Sequence, residues 1–333
     1  MAKVTQTTAT LDPNLMAADQ SIAVFQLYDT YTHGTAANNV MNGDAQRNAI
    51  YGEAGNDTLN GLGGNDYLSG GNGNDTLNGG SGNDILLGGA GADTMNGGSG
   101  NHDVVNYSGA STSVGVHLDT GTGNGGDANG DTYTGIEDIT GSAYGDNLEG
   151  DSTITGNIIK GAAGNDLIQG NGGYDLLDGG AGDDSITAFG SWSTGGAQML
   201  GGTGHDRLTG GEGDDYIYGG AGNDTLEGRQ GVNTLQGDAG HDTFEFQKNL
   251  DAAGPADTYN VITDFNKNED VLSLYDVFDN NKNTAVFVGA DANGDVQLTF
   301  GDTTVVLEGV HNAGWNSVQA LTNAGFAVTD TQF

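Results

Sequence analysis

The chain has 333 residues, of which 62 are Gly, 2 are Pro and none is Cys, with 35% apolar and 7% aromatic residues. Asp and Glu number 45 against 8 Lys and Arg, a net charge of −37. That length allows one large or two ordinary domains, but the composition excludes disulfides, thiolate metal sites and Cys nucleophiles, a thick globular core, a membrane span of 18 apolar residues, and nucleic acid as a partner, which needs the opposite charge.

Residues 1–42 are weakly patterned. MAADQSIAVFQLYDTY predicts one short capping element, and no basic run followed by an apolar run marks a secretory leader. From Gly43 to residue 106 a nine-residue period takes over. GDAQRNAIY opens it, and GEAGNDTLN, GLGGNDYLS, GGNGNDTLN, GGSGNDILL and GGAGADTMN follow from Gly52, Gly61, Gly70, Gly79 and Gly88. GGSGNHDVV from Gly97 carries one extra residue and closes the run. Residues 107–140 lose the period, although VGVHL and IEDIT are strand-like. The period returns over 141–246 with GSAYGDNLE, GAAGNDLIQ, GNGGYDLLD and GGAGDDSIT. After an excursion around Trp192 come GGTGHDRLT, GGEGDDYIY, GGAGNDTLE, GRQGVNTLQ and GDAGHDTFE. Residues 247–333 hold VITDF, VLSLY, AVFVG, DVQLTF and TTVVLEGV, runs of β-branched and aromatic residues that predict a β-rich cap.

The unit is G-G-x-G-x-D-x-U-x, with U large and apolar. Its glycines permit positive φ and hence a tight open turn. The turn exposes backbone carbonyls beside one carboxylate, the oxygens that a hard cation such as Ca²⁺ prefers. The last three residues predict a minimal strand with U inward. Two units then make one coil, and coils stack about 4.8 Å apart. The inward residues are Ile50, Leu59, Leu68, Leu77, Leu86 and Met95, then Leu148, Ile168, Leu177, Ile186, Leu208, Ile217, Leu226, Leu235 and Phe244. A flexible linker would have no reason to place an apolar residue at position eight of nearly every unit.

This pattern resembles the RTX (repeats-in-toxin) nonapeptide family. The resemblance implies an all-β fold, a parallel β-roll (RTX β-solenoid) in two blocks, 43–106 and 141–246, with multiple Ca²⁺ ions between coils. Carried over by position, the family's carboxylate ligands fall on Asp57, Asp66, Asp75, Asp84 and Asp93, and on Asp146, Asp166, Asp175, Asp184, Asp206, Asp215, Asp224 and Asp242. Its turn carbonyls fall, for example, on Gly70, Asn72, Gly79 and Ser81. Asn48 and Asn233 replace Asp, and His102 displaces Asp103 by one place, so the ladder of sites is expected to falter there. DTYNVITDFNKNEDVLSLYDVF, from Asp257 to Phe278, resembles the signature that follows such repeats in type I secretion substrates, which implies the type I secretion machinery as a partner.

No H-E-x-x-H and no G-x-S-x-G is present. His102, His205 and His241 fall in repeat turns, while His33, His117 and His311 are isolated. The chain is therefore expected not to be an enzyme. Outward positions sort by parity. One face carries Thr58, Asn60, Thr76, Asn78, Thr94 and Asn96. The other carries Ala49, Tyr51, Tyr67, Ser69, Ile85 and Leu87, an apolar face that is either covered by residues 1–42 or 107–140 or free for lateral contact. The expected function is a secreted calcium-binding structural protein that folds on calcium outside the cell, a surface or matrix component that assembles with itself in a layer or filament. The alternative is an accessory export module or one that binds cell-surface polysaccharide. A lesser alternative, from the Thr and Asn rungs, is ice binding.

Overall fold

The structure is a computed structural model and describes residues 28–152, 156–188, 196–247, 258–275, 287–300 and 303–331. The excursion around Trp192 and most of the expected N-terminal element lie outside these residues. The chain divides into two compact units, Met1–Gly150 and Asp151–Phe333.

In the first unit, strands alternate between two parallel sheets. One takes Thr30–Thr35, Asn48–Glu53, Tyr67–Asn72, Ile85–Ala90, Val104–Asn106 and Asp138–Thr140. The other takes Val40–Asn42, Thr58–Gly63, Thr76–Ser81, Thr94–Ser99 and Thr132–Thr134. Register follows the doubled period: Leu59 pairs Leu77, Leu77 pairs Met95, and Leu68 pairs Leu86. The six inward residues of this block are all at most 1% exposed. This is a parallel β-roll, all-β as expected. Its strands are longer than the three residues that the unit suggests. They run on through the next double glycine, where Gly71 stays in register with Gly89 although both have positive φ.

The segment without the period also builds strands. Asp138–Thr140 lies parallel on Val104–Asn106, and Thr132–Thr134 on Thr94–Asn96. Gly115–His117 pairs antiparallel with Thr122–Asn124 and parallel with Asn147–Glu149. A hairpin is thus inserted while the coil register is kept.

The second unit repeats the architecture. One sheet runs Ile158–Ala163, Leu176–Ala181, Gln198–Thr203, Tyr216–Ala221, Val232–Ala239, Thr258–Ile262 and Thr303–His311. The other runs Leu167–Gln169, Ser185–Thr187, Arg207–Thr209, Thr225–Glu227, Thr243–Gln247, Val271–Tyr275 and Ala327–Thr331. The roll therefore continues past residue 246. Asp295–Phe300 and Phe287–Ala290 then add antiparallel strands. A short helix, Val318–Asn323, starts at Ser317, whose side chain accepts the Ala320 N–H. Phe265 lies 6.0 Å from both Phe244 and Phe326, closing the last coils with aromatic contacts.

Candidate functional site

Each repeat turn is shaped by crowding as well as by dihedral freedom. Gly70 has an ordinary φ, yet a Cβ there would collide with the carboxylate of Asp75 and with the carbonyl oxygen of Gly88 in the coil above. Gly71 has φ +103° and would strike the Glu53 carbonyl below. Position one is Gly for space, position two for both space and conformation. At several turns the same geometry places two oxygens around the position-one glycine, the carboxylate of its own turn and the position-one carbonyl of the turn stacked on it: Asp57 Oδ2 and Gly70 O flank Gly52, and Asp66 Oδ2 and Gly79 O flank Gly61.

The other carboxylate oxygen forms a ladder. The Asp57 N–H donates to Asp75 Oδ1 and the Asp75 N–H to Asp93 Oδ1, both at 2.7 Å, and the Asp93 N–H donates to Asp131 Oδ1 at 2.8 Å. Across the coil, Asn48 N–H bonds Asp66 Oδ1, Asp66 N–H bonds Asp84 Oδ1, and Asp84 N–H bonds Asp103 Oδ1. In the second unit one column links Asp166, Asp184, Asp206, Asp224, Asp242 and Asp270 in the same way. The opposite column links Asn157 to Asp175, and Ala197 through Asp215 to Asn233. All the aspartates in these columns are buried.

Two kinds of turn result. In open turns the second oxygen has no hydrogen-bond donor. This holds for Oδ2 of Asp57, Asp66, Asp75, Asp84, Asp93, Asp103, Asp175, Asp184, Asp206 and Asp224. Each such oxygen is buried among other acceptors, a strongly unfavourable state unless a cation or a proton joins it. Burial pushes Asp66, Asp84, Asp103 and Asp206 up to about 6, and Asp93, Asp175 and Asp184 up to about 7, and it raises Asp215 and Asp131, which do have donors, to about 6 as well. In closed turns a protein donor reaches that oxygen. Asp215 Oδ2 accepts the Gly211 N–H at 2.8 Å, and Asp146 Oδ2 accepts the Ser142 N–H at 2.5 Å.

Asn233 shows what an open turn lacks. Its Nδ2 donates to the carbonyls of Arg229 and Gln230 at 3.3 and 3.2 Å and to Asn260 Oδ1 at 3.0 Å. In a clean turn an acceptor oxygen occupies that place. Hard oxygens from a carboxylate and from carbonyls of stacked turns, without a donor among them, fit Ca²⁺. Among the described residues no group of three or more His, Asp or Glu side chains converges as a metal site, so backbone carbonyls would supply most of the ligand oxygens.

The thirteen aspartates singled out by register thus separate. Asp57, Asp66, Asp75, Asp84, Asp93, Asp175, Asp184, Asp206 and Asp224 lie in open turns. Asp166 and Asp242 hold the same column positions, with Oδ2 beside Gly161 and Gly237. Asp146 and Asp215 are set apart by their own turn N–H groups, from Ser142 and Gly211. Of the four carbonyls, those of Gly70 and Gly79 face carboxylates, while that of Asn72 accepts the Gly55 N–H at 2.9 Å. Ser81 pairs in register with Gly63. The expectation for His102 needs correcting: the extra residue is absorbed in the turn, Asp103 takes the ladder position, and His102 pairs outward with Asp138 at 3.1 Å.

Several contributors escape the repeat register. Asp131 and Asp270 extend columns from segments without the period. Asp264 accepts the N–H groups of Gly237 and Asp238, ending the last repeat turn. Position five also matters. Asn56 N–H bonds Asn38 Oδ1, Asn74 N–H bonds Asn56 Oδ1, and Asn83 N–H bonds Asn65 Oδ1. The repeated G-N-D triplet was the available signal. His205 continues such a column by accepting the Asn223 N–H on Nδ1 at 2.8 Å.

Coil stacking, the position-eight core and the acceptor-lined turns define a nonapeptide β-roll. A family model described as RTX calcium-binding nonapeptide repeat (4 copies) matches residues 33–68, 69–101, 153–186, 200–235 and 227–245. Over these residues the chain carries RTX calcium-binding nonapeptide repeats. No curated protein matches it significantly. Among solved structures it is similar to the extracellular lipase LipA from Serratia marcescens, with 17% identity and a TM-score of 0.22, covering 90% of this chain and 42% of the lipase. The chain spans less than half the length of that lipase, and so low a score bears on neither fold nor activity.

Proposed function

We propose that the chain is a secreted, non-catalytic structural protein that folds when its open turns take up calcium outside the cell. We place it at the cell surface or in a matrix, exported by type I secretion machinery and able to assemble with copies of itself. The observation that carries this reading is the row of buried carboxylate oxygens without donors. Their mutual repulsion and desolvation oppose the roll until cations join them. Extracellular calcium modules bind at about 10⁻⁴–10⁻³ M, which would leave the chain unfolded before export. Among the described residues no helix is long and apolar enough to cross a membrane.

The described part of the C-terminal signature is built into the roll. Ile262 pairs Leu235, Leu272 pairs Phe244, and Asp270 accepts the Asp242 N–H. Folding of the roll would therefore order this segment as well. Far-UV circular dichroism of the purified chain in chelator, then in millimolar calcium, tests the reading. A gain of β signal specific to calcium over magnesium is expected, and an unchanged spectrum would sink it. Electron microscopy with and without calcium tests the assembly, with sheets or filaments expected only when calcium is present.

A further inference from the structure

Tyr107 stands where the repeat calls for glycine. Asp103 fills position six and Val105 position eight, so the next unit would open at residue 107. The chain instead leaves the roll and returns to the column of Asp57, Asp75 and Asp93 at Asp131, whose Oδ1 accepts the Asp93 N–H. Those three aspartates each keep a buried Oδ2 without a donor. Asp131 does not, because Tyr107 Oη donates to its Oδ2 at 2.6 Å. Tyr133 takes an inward position on Met95, where the register otherwise places Leu or Met. Its hydroxyl lies 2.6 Å from Tyr107 Oη. A hydroxyl carries one proton. With that of Tyr107 on the carboxylate, Tyr133 donates in turn to Tyr107. Tyr107, Tyr133 and Asp131 are 3%, 6% and 1% exposed, so water does not compete.

We propose that the Tyr107 hydroxyl takes the cation's place at Asp131, so that this column of the first unit ends in a turn that binds no calcium and is closed without it. The proposal rests on the calcium reading above and adds where the metal column stops. A hydroxyl-to-carboxylate bond is short and strong, and the second hydroxyl polarises it further. A calcium ion there would need six to eight oxygens, including the Asp131 oxygen that already accepts the Tyr107 hydroxyl. Tyr133 gains the partner that a buried phenol requires. The segment between Tyr107 and Asp131 thus acts as a lid on the column whose closing group is covalently part of the chain.

Calcium-titration calorimetry on the full chain counts the ions bound. Asp75→Asn should lower the count, whereas Asp131→Asn should leave it at the wild-type value. An Asp131→Asn protein that loses an ion as Asp75→Asn does would overturn the proposal. A wild type that binds no calcium would overturn the calcium reading along with it, so the two failures are distinguishable. A second readout is thermal unfolding in saturating calcium. Tyr107→Phe should lower the midpoint by several degrees, because it orphans a buried carboxylate oxygen. Adding Asp131→Asn should recover most of that loss, and a double variant no better than Tyr107→Phe alone counts against the proposal.

Discussion

The two columns of turns in the second unit solve the same problem differently. One is an unbroken run of carboxylates at Asp166, Asp184, Asp206, Asp224, Asp242 and Asp270. The other reads Asn157, Asp175, Ala197, Asp215, Asn233 and Asn260. Their strands have the same register and their inward side chains are equally buried. What differs is the source of positive charge. The first column lacks donors at Asp184, Asp206 and Asp224. The second supplies a donor at two of its turns, the Gly211 N–H at Asp215 and the amide of Asn233, and lacks one only at Asp175 among its aspartates. Demand for a cation is therefore set turn by turn, by whether a donor is built in, and not by the repeat as such.

The largest test of that contrast replaces calcium by protons. Burial raises Asp184 to about 7 and Asp206 and Asp242 to about 6, whereas unfolded Asp titrates near 3.9. Between those values the folded state binds more protons than the unfolded state. Stability of the calcium-free roll thus falls as pH rises through about 6–7 and is fully regained below about 4. Circular dichroism in chelator should show β structure growing on acidification from pH 8 to pH 4. A flat profile would mean that the open carboxylates do not limit folding.

Core truncation comes next and should not distinguish the columns. Leu226 lies in the sheet that follows the unbroken column, and Ile217 in the other, both at 0% exposure. Leu226→Ala and Ile217→Ala should each cost about 2–5 kcal/mol in chemical denaturation with saturating calcium. A large difference between them would place the asymmetry in the core instead of the turns. Asn233→Asp should cost about 1–3 kcal/mol without calcium, since it turns a donor into a buried acceptor, and calcium should restore part of the loss. The smallest effect concerns calcium affinity. Asp206→Ala should raise the calcium midpoint of folding about tenfold, equivalent to about 1.4 kcal/mol, while Asp215→Ala should leave that midpoint nearly unchanged.

Much of the roll is legible in the chain. A large apolar residue at position eight of nearly every unit locates the core of the two repeat blocks between Ile50 and Phe244, and the aspartate two places earlier locates the ladder. The closed turn of Asp215 is not legible, because it reads G-x-x-G-x-D as the open turns do, whereas that of Asp146 departs from the pattern with Tyr144 at position four. Whether the Ser142 or Gly211 N–H reaches its own aspartate depends on how the turn sits against its neighbours, which no single unit encodes. Asp131 and Asp270 lie in segments without the period, and only three-dimensional return brings them into register. Asp103 was obscured for the opposite reason: a strict count of nine misses a residue absorbed inside a turn. Tyr107 and Asp131 are 24 residues apart, and neither signals the other.

The amide-to-carboxylate ladder has one further consequence. Each turn gives its N–H to the carboxylate of the turn that follows, never to the one before. A stack built this way has unlike ends, one offering only acceptors and the other only donors, as the two ends of a polar filament do. In the first unit Glu137 takes the N–H of Asp103 at 3.0 Å and so blunts one donor end. Two such stacks cannot join by equivalent ends through these bonds. A contact that continued these bonds from one stack to another would be head-to-tail, a heterologous arrangement that propagates in a line instead of closing as a twofold dimer.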